Sequence, residues 1–359
     1  MKKLLSLFSL LAAVLMLSSC GGGIPDYAKL IPKDAVVVFR FNAEDLYDAS
    51  GLGDSDHPMR KKAERALKDS ELKGKARDMA IKMLDDPEAC GIDADAPIFV
   101  YVNPKDENDH FGVVGGIDSE STFTEFLASA SGEKVQKSGD LSYASSGSNV
   151  IVFNDDWFFM GDAGYNWDTW EPNDPKDLIA MVKKRVNSDK ESITGNEAFK
   201  QMCSKGGMAQ VMVLGSLIED AKDYMDRDAR KALGVLNEAG IDPANFAIIC
   251  DVEMSKGEAI ATAEVIAVKE KGEKMLEKMD ELAGGSDEGF FLRINFGFLK
   301  GLGQNAGGSD AVILGKVSEL IKYIEIKYEG DCKGSLKLVS NDDSMTPLAK
   351  LLEIVAKFM

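Results

Sequence analysis

The strongest constraint on this chain is an order of apolar runs that recurs along it. Val36–Phe41 is a β-branched and aromatic stretch of strand length, introduced by Pro32 and Asp34. Ala76, Met79, Ala80, Met83 and Leu84 then repeat at helical spacing until Pro87. Two strand-like runs follow, Ile98–Val102 and Phe111–Gly115, and then a helical face of Phe123, Phe126, Leu127 and Ala130. The same β-α-β-β-α order returns further on. It runs from Ala209–Leu214 through a helix at Ser216–Met225 to Phe246–Val252 and Ile260–Val268, with a hairpin at Ser255-Lys256-Gly257. Met275, Met279 and Leu282 mark the helix that closes this copy. A more compact third copy reads from Phe290–Phe296, through a helix near Val312–Ile321, to Tyr323–Tyr328 and Gly334–Val339. A helix opened by Thr346 and Pro347 closes it. Gly240-Ile241-Asp242 echoes Gly91-Ile92-Asp93, each between a helix end and a strand. The expectation is an α+β fold of repeated β-α-β-β-α units with antiparallel sheets.

Between the first two copies, Leu141–Ala144, Val150–Phe153 and Trp157–Met160 read as consecutive strands, with Asn154-Asp155-Asp156 as a tight turn. This predicts a small all-β insertion over residues 133–162, followed by a helix through Leu178, Met181, Val182 and Val186. The expected organisation is therefore a leader over 1–19, a tether over 20–30, an N-terminal α+β domain over 31–190, and a C-terminal one over 191–359.

The leader has its own signature. Lys2 and Lys3 precede an apolar run from Leu4 to Leu17, too short to span a bilayer, which takes about 20 residues. Leu17-Ser18-Ser19-Cys20 resembles the lipobox of bacterial lipoproteins. The resemblance implies cleavage before Cys20, a diacylglycerol thioether on its sulfur and acylation of its new amino group. Two or three acyl chains hold a protein firmly, at about 0.8 kcal/mol per buried CH2. Gly21-Gly22-Gly23 then serves as a flexible spacer. The first acidic residue after Cys20 is Asp26, so the acidic cluster resembling a surface-export signal is missing, and a periplasm-facing address on the outer membrane is expected.

A second resemblance rests on Ile31-Pro32-Lys33-Asp34-Ala35 before the first strand and on Ser192–Phe199 before the second strand-helix unit. Both are similar to an uncharacterised family of Gram-negative cell-envelope lipoproteins, a domain of unknown function, which begins with a lipobox and an Ile-Pro-x-Asp-Ala strand. The resemblance implies an α+β fold on the cell envelope and carries over no catalytic residues.

Composition narrows the function classes. The net charge is −18, and loss of the leader with Lys2 and Lys3 makes it two units more negative. Such a chain repels phosphate backbones and has no basic stripe, so no nucleic-acid partner is expected. With 45% hydrophobic residues it has ample material for a packed core. Cys90, Cys203, Cys250 and Cys332 remain after Cys20; their spacing leaves disulfides open, and Cys250 inside an apolar run reads as a buried thiol. His57 and His110 are the only histidines, and neither HExxH nor GxSxG occurs. Ser70-Glu71-Leu72-Lys73 lacks the partner motifs of a serine acyltransferase, and Gly301-Leu302-Gly303-Gln304-Asn305-Ala306 reads as a glycine-rich turn rather than a dinucleotide fingerprint. No enzyme activity, cofactor or metal is expected.

Two acidic clusters, Asp85, Asp86, Glu88, Asp93, Asp95 and Asn103, Asp106, Glu107, Asp109, His110, lack calcium-loop spacing and read as solvated turns. The least ordinary feature is aromatic. All three tryptophans, Trp157, Trp167 and Trp170, fall in one stretch with Tyr165, among alternating carboxylates and amides. Flat rings flanked by such groups suit a sugar, so Trp157, Tyr165, Trp167 and Trp170 are the candidate ligand-binding residues; packing alone is the plainer alternative. The leading expectation is a non-catalytic structural or protein-interaction module held on the membrane through Cys20. A glycan- or ligand-binding lipoprotein is the second.

Overall fold

A computed structural model describes residues 23–70, 74–104, 109–131, 134–166, 168–220, 227–238, 240–268, 270–282, 291–296, 320–330 and 332–356. Cys20 and the leader lie outside the described residues, as do 301–306, residues 71–73 of the Ser-x-x-Lys stretch and nearly all of the helix expected near Val312–Ile321. The chain divides into two compact units, Met1–Asn196 with Val355–Met359, and Glu197–Ile354.

In the first unit, β1 (Val37–Asn42) leads into helices α1 (Ala43–Ser50), α2 (Pro58–Asp69) and α3 (Lys75–Lys82), then β2 (Pro97–Val102) and β3 (Phe111–Gly116). Helix α4 (Glu120–Ser131) follows, then β4 (Gln136–Ser138), β5 (Leu141–Ser146), β6 (Asn149–Phe153) and β7 (Trp157–Asp162). A short hairpin of β8 (Tyr165–Asn166) and β9 (Glu171–Pro172) precedes α5 (Lys176–Val186). The pairing is antiparallel, in the order β4-β5-β6-β7-β3-β2-β1, with β8-β9 apart.

The segment 133–162 is therefore no separate insertion. It extends the main sheet, because β7 pairs with β3 from Gly112↔Gly161 to Gly116↔Trp157. Glycine makes this possible. A Cβ on Gly115 would come within 2.6 Å of the Phe158 ring opposite, and one on Gly112 within 2.5 Å of the Tyr101 ring. The bare strand β3 thus leaves room for aromatic rings from both neighbours. The turn before β7 forms as expected: the Asn154 amide donates to the Trp157 carbonyl (3.1 Å), and Asn154 Oδ1 accepts from Asp156 and Trp157 amides.

Three consecutive aromatics on β7, Trp157, Phe158 and Phe159, are all buried, so both faces of the sheet must be covered here. On one face Phe123 of α4 packs against Phe153 and Phe158, with ring centroids 5.2 and 5.6 Å away. On the other, a Cβ at Gly161 would meet both Phe159 and Leu178 of α5. The predicted α4 stripe of Phe123, Phe126, Leu127 and Ala130 is buried throughout. Each fully buried side chain of this size contributes about 1.5–3 kcal/mol.

The second unit contains α6 (Glu197–Ser204), β10 (Ala209–Leu214), α7 (Ser216–Asp220), α8 (Arg227–Glu238), β11 (Phe246–Ser255), β12 (Glu258–Ala267) and α9 (Glu270–Leu282). Strands β13 (Phe291–Asn295), β14 (Ile321–Gly330) and β15 (Lys333–Ser340) and helix α10 (Pro347–Ala356) as far as Ile354 complete it. Its antiparallel order is β10-β11-β12-β15-β14-β13. The register sets Leu292, Ile326, Leu336, Ala261 and Val252 in one apolar row. The opposite face carries charge: Arg293 lies 4.5 Å over the Tyr323 ring and donates to Glu325.

The two Gly-Ile-Asp triplets do the same local work. Gly91 (φ 89°) and Gly240 (φ 74°) both adopt the left-handed region. Ile92 and Ile241 are buried, and Asp93 and Asp242 accept amides two residues on, from Asp95 and Ala244. In each case an antiparallel strand pair follows, β2–β3 or β11–β12.

Candidate functional site

The candidate site grows out of the end of β7. The Asp162 carboxylate accepts the Gly164 amide (2.8 Å), bending the chain out of the sheet, and the Ala163 amide is held by the Ser148 carbonyl (2.7 Å) in the β5–β6 turn. The half-buried Tyr165 points its hydroxyl at that same turn, 3.4 Å from where a Cβ on Gly147 would stand. On the return strand the Asn173 amide donates to Gly164 O (3.0 Å) and its side chain to Ala163 O (2.9 Å). The hairpin is thus fixed at its base. At its tip Trp170 has φ 57° and is 72% exposed. A bulky residue in the left-handed region is an uncommon, costly conformation.

Beside the hairpin opens a cleft of about 620 Å³, with Ala163, Leu178 and Met181 as apolar lining and Asn173, Asp174 and Asp177 as polar lining. Asp109 lines it too, and is itself buried. Its carboxylate accepts the Tyr101 hydroxyl (2.5 Å) and pairs with Arg185 of α5, whose guanidinium also reaches Tyr101 Oη (3.3 Å) and Leu30 O (3.4 Å). Burial, and then the Asp109 charge, push the Tyr101 phenol well above its ordinary range. Burial opposes the Arg185 charge, yet the Asp109 hydrogen bond and the facing groups raise it overall. This buried network escaped the sequence reading. A signal existed: Leu178, Val182 and Arg185 stand at i, i+4 and i+7, which places an arginine in the buried stripe of α5.

The four aromatic candidates separate. Tyr165 and Trp170 flank the hairpin; Trp167 lies outside the described residues. Trp157 does not join them. It begins β7, roughly 17 Å from Asp162 at 3.3 Å per residue, and is only 6% exposed. It lines a different cavity of about 440 Å³, with Tyr27, Leu30 and Val186.

The acidic clusters are occupied by their own backbone and by arginine. Asp85 pairs with Arg60 at 2.5 Å, Asp86 accepts the Glu88 amide, and Asp93 Oδ1 accepts from Asp95 and Ala96. Asp106 and Glu107 of the second cluster lie outside the described residues. Among the described residues no three His, Cys, Asp or Glu side chains are grouped to hold a metal ion. None of Cys90, Cys203, Cys250 and Cys332 forms a disulfide, and complete burial pushes the Cys90 thiol up to about 12.

One carboxyl pair does respond to pH. A hydrogen bond that the protonated Glu44 donates to the Asp95 carboxylate, and then the Asp95 charge, push Glu44 up to about 7. The folded state therefore holds a proton that the unfolded chain releases at lower pH. The associated stabilisation is complete below the ordinary glutamate range and is lost as pH rises through about 7. Wild-type urea midpoints should rise on acidification across that window, and Glu44→Gln should flatten the rise.

Among the described residues no helix is long and apolar enough to cross a membrane. A search of curated proteins finds no match. Among solved structures, crystal forms III, I and IV of TP0453 are similar to this chain. Form III has a TM-score of 0.40 at 10% identity, covering 93% of this chain and 99% of that one. Form I gives 0.37 at 11% identity, covering 94% and 99%, and form IV gives 0.41 at 10%, covering 94% and 97%. The profile of a family described as Domain of unknown function (DUF4836) matches residues 27–211. That match takes in every strand of the first unit, the hairpin with Trp170 and the start of β10, more than half of the sequence, and the chain belongs to this family.

Proposed function

We propose that this protein is a non-catalytic interaction module, held by lipid on Cys20 at the outer membrane of the cell envelope and facing the periplasm. The observation that carries the reading is Trp170: a 72% exposed indole in a strained conformation, on a hairpin fixed by backbone hydrogen bonds to the sheet. Strain kept at an exposed aromatic is more economically explained by contact with a partner than by packing. The buried polar groups nearest the cleft support a non-catalytic role, since Asp109, Tyr101 and Arg185 satisfy one another. A second reading, a glycan ligand, is favoured by the amide and carboxylates of Asn173, Asp174 and Asp177 in the adjoining cleft. The recurring element order and the equivalent Gly-Ile-Asp turns support descent of both units from one duplicated β-α-β-β-α element.

The tether is tested by Cys20→Ala. The variant should move from the membrane fraction to the soluble fraction with an unchanged melting temperature; retention in membranes would remove the lipid anchor from the account. The interaction role is tested by Trp170→Ala. It should abolish partner co-purification from cross-linked membranes while leaving fold and abundance unchanged.

A further inference from the structure

We infer that the cleft beside the Trp170 hairpin takes a basic segment of a protein partner, with one lysine or arginine stacked on the Trp170 indole and another seated between Leu178, Met181 and the carboxylates of Asp174 and Asp177. The inference rests on the interaction reading above and adds the chemistry of the partner.

The cleft has the two kinds of surface that a long basic side chain needs. Ala163, Leu178 and Met181 offer apolar lining for methylenes, and Asp174 and Asp177 offer exposed carboxylates for the charged head. Between Asp162 and Asp177 the sequence carries five acidic residues against the single cation Lys176, which lies 2.7 Å from Asp174. The Asp177 carboxylate is exposed, and its charge acts on the neighbouring Lys176. The N-terminus of α5 nearby would by itself favour an anion, but Asp177 occupies its first turn and answers that dipole. Beneath the cleft Arg185 and Asp109 neutralise each other, so the carboxylates beside Asn173 set the local sign. An exposed indole in an acidic setting is a site for a cation, tryptophan being the strongest aromatic partner. Trp170 precedes Asn173 by three residues, about 10 Å of chain at most. Two basic side chains about three residues apart on one extended segment span that distance.

The full chain, purified in detergent, is titrated with fluorescent hexalysine in low salt, beside chitohexaose as a neutral saccharide. Hexalysine should bind, and Trp170→Ala and the double variant Asp174→Asn with Asp177→Asn should each weaken it about two- to fivefold. Trp170→Phe should retain most of the affinity. Unchanged binding in those variants would show diffuse attraction to an acidic protein and overturn the inference, as would no binding at all. Chitohexaose binding that depends on Trp170 would also overturn it, in favour of the glycan reading. If hexalysine fails while a photo-cross-linker at position 170 still captures an envelope protein, only the basic chemistry falls. If neither succeeds, the interaction reading falls with it.

Discussion

Arg185→Met is expected to lower the stability of the first unit by about 3–5 kcal/mol, the usual consequence of stranding one member of a buried ion pair. Asp109 and Arg185 side chains are 3% and 8% exposed, so neither charge has water to fall back on. Without the guanidinium, Asp109 loses its facing positive charge while still accepting the Tyr101 hydroxyl, and Leu30 O loses the Arg185 donor. At this size the melting temperature should fall by roughly 6–20 °C. All three tryptophans lie in the first unit, so tryptophan fluorescence in a urea titration reports on that unit selectively. The double variant Asp109→Leu with Arg185→Met leaves no orphan charge. It should recover much of the loss, giving a coupling energy of a few kcal/mol in the double-mutant cycle. Additive losses would mean that the pair is not the element holding α5 to the sheet.

Gly91→Ala should be nearly as damaging, by about 2–4 kcal/mol, for a steric reason. Gly91 has φ 89°, and a Cβ there would stand 2.6 Å from both the Phe123 amide nitrogen and the Ser119 carbonyl oxygen. These are backbone atoms at the start of α4, and the Gly91 carbonyl accepts the Asp118 and Ser119 amides, so the helix cannot move away without losing its docking. The left-handed conformation adds about 1–2 kcal/mol for any L side chain. Gly195 is the control: its φ is not positive and no described atom lies within 4 Å of its Cβ position, so Gly195→Ala should change stability by about 0.5 kcal/mol or less. A urea midpoint for Gly91→Ala no lower than that of Gly195→Ala would contradict the close approach.

These two sites show what the sequence could and could not reveal. Strands whose apolar content is self-evident were legible, as at Ala209–Leu214, and so was the four-residue stripe of α4. The turn at Asn154 was legible because Asn acts on amides two and three residues away. The Gly-Ile-Asp echo was visible, but its meaning came from the shared φ and the shared amide acceptor. The pairing of β7 with β3 was hidden, since glycines opposite aromatics only signify once the strands are known to be neighbours. Likewise Asp109 and Arg185 are 76 residues apart, and no local pattern joins them. The tryptophans looked equivalent in sequence. They were separated by β7, covered on both faces, which buries Trp157, and by the hairpin turn, which displays Trp170.

The central claim, that a tethered chain meets its partner through the Trp170 surface, is tested most directly in living cells. Benzoylphenylalanine placed at position 170 of the full-length chain should, on irradiation, yield a discrete adduct with an envelope protein in the membrane fraction. Placed at the buried position 157 it should yield none, and in a Cys20→Ala background the adduct at 170 should diminish sharply. No adduct from position 170, or equal adducts from both positions, would contradict the account.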